Sequence, residues 1–141
     1  MPRLIRARRK NGEKGQALVE FTLLLPIFLL LLFAIIDFGM GFYSWITVTN
    51  AAREGARLGA VLATQQEIED RVYQAASLPD EATKMTVVVT NAQGQPGQSV
   101  TVTVNYDYDL ITPLAGIVSF VSGNTLGPTL TFSSTADMRL E

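Results

Sequence analysis

A chain with no histidine and no cysteine has few ways to do chemistry. It lacks the usual triad base and the thiol nucleophile. It can form neither disulfides nor Cys/His zinc sites, and it cannot carry a lipid through cysteine. No glycine-rich phosphate loop is present. Carboxylates remain. Asp107 and Asp109, in the run Tyr106-Asp107-Tyr108-Asp109, fall near a predicted strand end and could bind a cation. No calcium-binding loop of about 12 residues surrounds them, so solvated acids at a loop entry are the expectation. The sequence therefore predicts no enzyme, no cofactor, no metal and no small-molecule substrate.

Glu20 is the other acid of interest, because it stands at the edge of an apolar run. Residues 21–36 read FTLLLPIFLLLLFAII, with no charge. A charge deep in a transmembrane helix costs about 2.5–3.5 kcal/mol on insertion scales, and less near an end. Glu20 needs a partner or a proton. Before it lies a basic segment: residues 1–15 hold six bases and one acid, a net +5, while residues 16–141 hold five bases and twelve acids, a net −7. A basic tail can meet nucleic acid or membrane. This one abuts an apolar run and carries nothing that reads bases, so membrane is expected and nucleic acid is not.

A helix needs about 20 apolar residues to cross a hydrocarbon core of roughly 30 Å. The run from Ala17 through Phe38 reaches that length, with a carboxylate near each end. Tyr43 and Trp45 beyond it favour the membrane–water interface, so the span is placed over about 17–45. The bases precede the run and only Arg53 and Arg57 soon come after it, which keeps the N-terminus cytoplasmic and sends the C-terminus across. A cleaved secretory signal would have a shorter apolar core and an A-x-A site, and IIDFGMGFYSW offers none.

The junction reads Lys14-Gly15-Gln16-Ala17-Leu18-Val19-Glu20-Phe21. It resembles the processing site of type IV pilin-like precursors. The resemblance implies a prepilin peptidase that cuts after Gly15, leaving Glu20 five residues into the product. Gly12 lacks that spacing. Glycine lets the chain lie extended and close to a protease backbone. The basic leader holds the site at the inner bilayer surface. Cleavage would also turn the nitrogen of Gln16 into a charged amine, and the resemblance implies that Glu20 pairs with such an amine on a neighbouring subunit.

These residues must be positioned by helices and a sheet. Pro26 inside the apolar run predicts a kink or loosening. Residues 37–63 continue the helix, with Asp37, Gly39 and Gly41 at the membrane exit, where a bend is expected. Ala52, Ala56, Gly59, Ala60 and Ala63, with Gly55, form a stripe of small residues that permits close packing, onto the protein's own domain or a second subunit. Thr64-x-x-Glu67 is a capping box that opens a second helix whose apolar face is Ile68, Val72, Ala75 and Ala76. Residues 85–90 and 100–106 read as a hairpin and 130–138 as a third strand, with a short apolar helix at 114–121. The expected fold is α+β: a cleaved leader at 1–15, a long helix at 16–63, and a small extracytoplasmic domain at 64–141 with a helix and about three antiparallel strands.

GQALVEF at 15–21, the leucine-rich run with Pro26, IIDFG at 35–39 and TNAAREGAR at 49–57 together resemble the TadE family of pseudopilins. These are minor pilin-like proteins of the tight-adherence, or Flp, pilus machinery of bacteria and some archaea. The resemblance implies a structural assembly component of the inner membrane, single-pass, cut between Gly15 and Gln16. Its partners would be the prepilin peptidase, other pilin-like subunits and inner-membrane pilus assembly proteins. Glu20 corresponds to the family's acid and Phe21 to the aromatic after it. Asn50, Arg53, Glu54, Gly55 and Arg57 correspond to a second motif of unassigned role. Glu54 and Arg57 are also i, i+3 partners, a pairing worth about 0.2–0.5 kcal/mol. The competing expectation is an unprocessed, signal-anchored extracytoplasmic module that binds a ligand or an envelope component.

Overall fold

The computed structural model describes residues 10–140 except Asn124, Leu126 and Pro128. The leader's Arg3, Arg6, Arg8 and Arg9, and the terminal Glu141, lie outside the described residues. The elements run α1 (Lys10–Gly59), α2 (Gln65–Ala76), α3 (Glu81–Lys84), β1 (Met85–Thr90), β2 (Ser99–Asp109), α4 (Leu114–Val121) and β3 (Thr129–Arg139). The α+β architecture expected from the sequence is present, as is the short apolar helix in the β2–β3 connection. α1 is helical through Pro26, and also through Gly39 and Gly41, where the sequence suggests a bend. It stops at Gly59 rather than 63. Ala60–Leu62 turn the chain, with Leu62 at a φ of 63°.

α1 changes character at Asp37. Gly15–Gly59 is long and apolar enough to cross a membrane, and its most hydrophobic window has a mean hydropathy of 2.7 with no part of it buried. The large side chains from Leu18 to Ile36 point outward, apart from half-covered Phe33. From Asp37 on, positions 37, 41, 44, 48, 51, 52, 55, 56 and 59 are buried. Steps of three and four put these residues on one face, and that face is the core of the folded domain.

The sheet has the order β1-β2-β3, antiparallel throughout. Its alternation is clean. Val100, Val102, Val104, Tyr106 and Tyr108 of β2 point inward and are buried, while the threonines and acids between them face out. Met85, Val87 and Val89 flank them on β1, and Leu130, Phe132, Ser134, Ala136 and Met138 on β3. β2 lies along α1 in the opposite direction. A methyl built on Gly59 would meet Val100, one on Gly55 would meet Val102, and one on Gly41 would meet Phe132 and Tyr108. The lengths agree: Gly41 to Gly59 climbs about 27 Å of helix, and Val100 to Tyr108 spans about 26 Å of strand.

α2 closes the core on the side of β1. Thr64 and Glu67 form the reciprocal capping box that the sequence signals, and Ile68, Val72 and Ala76 are buried. The small residues of α1 set how close α2 can come. A methyl on Gly55 would lie 2.5 Å from Val72 Cγ2 and 3.3 Å from Val102 Cγ1, and one on Gly59 would lie 2.9 Å from Val100 Cγ2. The small-residue stripe thus packs onto the protein's own domain. Gly39, by contrast, has nothing within 4 Å of such a methyl. Alanine is favoured over glycine in a helix by about 0.8–1.0 kcal/mol, while overpacking a core costs about 1–3 kcal/mol. Gly55→Ala is therefore expected to lower the melting temperature of the domain and Gly39→Ala to raise it slightly, as read by thermal unfolding in detergent. Equal effects of the two changes would contradict this packing.

Candidate functional site

The N-terminal candidates share one exposed helical segment. Gln16 Nε2 donates to Glu20 Oε1 at 3.0 Å, one turn on. Phe21 is exposed beside it, and a methyl on Gly15 would meet nothing within 4 Å. No part of the folded domain covers Gly15, Gln16, Glu20 or Phe21. The Gly15–Gln16 peptide bond lies inside α1, so a protease that reads extended chain must first unwind the start of the helix. Glycine lowers that cost. From Glu20 to Asp37 the helix rises about 25 Å, close to the thickness of a hydrocarbon core.

Asp37 is the residue whose positioning role sequence reasoning undervalues. It is 1% exposed yet carries a carboxylate, and it is fully engaged. Its Oδ1 accepts from the backbone N–H of Ile111 at 3.0 Å and of Thr112 at 3.3 Å. Its Oδ2 accepts from the Thr112 hydroxyl. Its own carbonyl accepts from Tyr108 Oη at 3.3 Å. Thr112 Oγ1 in turn accepts from Leu114 N at 3.3 Å, at the first residue of α4. One acid on α1 therefore fixes the end of β2, the adjoining loop and the start of α4. A buried carboxylate survives only when it is hydrogen-bonded in this way. Spacing could have hinted at it, because 37, 41, 44 and 48 continue the buried stripe back to an acid. Its partners lie more than seventy residues away and no local pattern names them.

The second motif resolves into a packing device with a charged rim. Ala51, Ala52 and Ala56 are fully buried and Gly55 sits under Val72. Asn50, Arg53 and Arg57 face solvent. Glu54 bonds Arg57 at 3.0 Å, the i, i+3 pair read from sequence, and also Arg71 of α2 at 3.1 Å. The second bond crosses between helices and is not legible locally. The hydrogen bond from Arg57, then that from Arg71, holds the Glu54 carboxyl below its ordinary value.

Tyr106-Asp107-Tyr108-Asp109 does not form an open cation cup. The tyrosines point into the core, and Tyr106 Oη donates to Pro79 O at 3.0 Å. The acids point out into cross-strand bonds. Asp107 accepts from Thr131 Oγ1 at 2.6 Å, and Asp109 accepts from Thr129 Oγ1 at 2.5 Å and pairs with Lys84 at 3.1 Å. The Thr129 bond, then that from Lys84, lowers the Asp109 pKa. Among the described residues no cluster of three or more metal-ligating side chains occurs.

Compared with known protein families, residues 15–57 match the family model described as TadE-like protein. The match begins at Gly15, takes in Glu20, Pro26 and Asp37, and ends at Arg57. It agrees with the resemblance read from the residues. Comparisons with curated proteins and with solved structures find no match.

The geometry makes Asp37 and Glu54 directly testable. Asp37→Ala strands two backbone donors, and a buried unsatisfied group costs about 1–3 kcal/mol. Hydrogen exchange at the Ile111 and Thr112 amides should accelerate strongly while the Val100–Val104 amides stay protected; unchanged exchange at both would refute the clamp. For Glu54, a carboxyl pKa lowered by folding adds stability that is complete above its unfolded value and is lost as pH falls through the lowered one. Acid titration should therefore loosen the α1–α2 contact, and Glu54→Gln should flatten that acid limb. A variant with the wild-type acid limb would contradict it.

Proposed function

We propose, from the TadE-like segment at residues 15–57, that the chain is a minor pseudopilin: a structural, non-enzymatic component of the tight-adherence pilus machinery. The observation that carries this reading is the division of α1. One continuous helix presents a bare apolar surface with a single acid near its start, and then becomes the core of a small folded domain. That surface suits lateral assembly with other apolar helices in a bilayer or a fibre, where dispersion and polar pairing supply the association energy.

In this reading the basic leader stays cytoplasmic, the span runs from about Gly15 to Ile36, and the α+β domain lies outside. Residues 15–36 extend about 33 Å, enough for the hydrocarbon core. From Asp37 onward, within the 17–45 read from the sequence, one face of α1 is occupied by the sheet. A prepilin peptidase cuts between Gly15 and Gln16. The new amine then lies one turn, about 6 Å, from Glu20 along the helix. Between neighbouring subunits, amine and carboxylate neutralise each other where an unpaired charge would be costly. Pro26 leaves the carbonyl of Thr22 without its usual N–H partner, so the helix can yield there as neighbours pack.

The test is the mature N-terminus in the native host. Gln16 should be the first residue, and Gly15→Val should leave the full chain uncut. Glu20→Ala should be cut normally but fail to co-assemble with other pilin-like subunits. A native chain that keeps Met1 would overturn processing and favour a signal-anchored binding module. Normal assembly of Glu20→Ala would overturn the amine–carboxylate pairing.

A further inference from the structure

The tip of the β2–β3 hairpin is apolar where a solvated loop would be polar. Residues 110–136 contain no charged side chain. Within them α4 reads LAGIVSFV, and none of its residues is buried. Leu114 and Val118 line an apolar groove with Phe38, Phe42 and Phe132. Ile117, Phe120 and Val121 point away from the domain and are 39%, 88% and 79% exposed. Water over this face leaves the burial energy of three apolar side chains unrealised. An exposed apolar patch of this kind marks a contact surface.

Its place in the fold identifies the contact. Asp37 holds Ile111 and Thr112, and Thr112 holds the first turn of α4. α4 is therefore fixed beside the residue at which the charge-free run of α1 ends. The groove that α4 lines is closed by Phe38, Gly41 and Phe42 of α1, directly above the end of that run. We propose that α4 lies on the outer surface of the bilayer, its Ile117, Phe120 and Val121 face dipping into the headgroup–acyl boundary beside the exit of α1. The chain then meets the membrane twice, once across it through α1 and once along its surface through α4. This inference rests on the proposed span. It gives the Asp37 clamp a further task, which is to set the tilt of the domain by pinning a second anchor beside the first. The association comes from apolar area that lipid removes from water.

The test uses the full chain reconstituted in phosphatidylcholine–phosphatidylglycerol vesicles. Trp45, the one tryptophan, is replaced by Phe, and a single reporter is introduced as Phe120→Trp or, separately, Leu24→Trp. Phe120 is too exposed for the exchange to disturb the core. Lipids brominated near the headgroup should remove most of the Phe120→Trp emission, acrylamide in the water should remove little, and diluting the protein in lipid should change neither. Loss to acrylamide without loss to brominated lipid would overturn the inference. So would lipid-independent shielding that vanishes on dilution, which would assign α4 to a second copy of the chain. Leu24→Trp should be quenched by lipids brominated deep in the chain. If it is, and Phe120→Trp is not, the span stands and the α4 inference fails; if neither is quenched, both fail.

Discussion

The structure depends on one carboxylate. Asp37 sits at the point where α1 stops being a bare apolar rod and becomes the centre of a folded domain. There it collects two backbone amides, a hydroxyl and, through its carbonyl, a tyrosine. Such a group is costly to bury unless it is hydrogen-bonded, and its three carboxylate donors come from a single loop. The clamp therefore fixes register. β2 must end at this level of α1, and its length then places Val100 beside Gly59 at the far end. Helix and strand span nearly the same distance between these two contacts, so one polar anchor aligns an otherwise apolar interface that could slide.

The rest of the domain depends on how closely that interface can approach. Glycine and alanine on α1 admit the valines of β2 and α2 into the buried core. A second subunit would compete for the same stripe, and the domain has already taken it. The surfaces left uncovered are accordingly the apolar run below Asp37, the acid at its start, and the apolar tip beside the clamp. The charged rim of Glu54, Arg57 and Arg71 is exposed and adds little stability of its own. Its contribution is to join α1 and α2 at a pH where the acid is ionised.

Elements with a local cause were legible. The capping box at Thr64 and Glu67, the period-two alternation of β2, the uncharged run of α1 and the apolar helix in the β2–β3 connection each arise from neighbouring residues. The TadE-like segment was legible for the same reason, being contiguous. What escaped was non-local. Asp37 reads as a polar residue ending an apolar run until Ile111 and Thr112 arrive from the far end of the chain. Gly41 reads as a place to bend until the ring of Phe132 packs on it. The i, i+3 spacing names Arg57 as the partner of Glu54 but cannot name Arg71, which comes from another helix. In each case the missing information was a tertiary partner, and the local propensity was overruled by packing.

The central claim is that α1 leaves the membrane at Asp37 and that the folded domain begins there. The chain has no cysteine, so single cysteines placed along the outward face of α1 are unique reporters. In reconstituted vesicles, a membrane-impermeant maleimide should fail to label cysteines at Leu18, Leu24, Leu31 and Ile35, and should label those at Ile46, Asn50 and Arg53. Labelling within the first group, or protection that persists through Asn50 and Arg53 in the intact domain, would contradict the account.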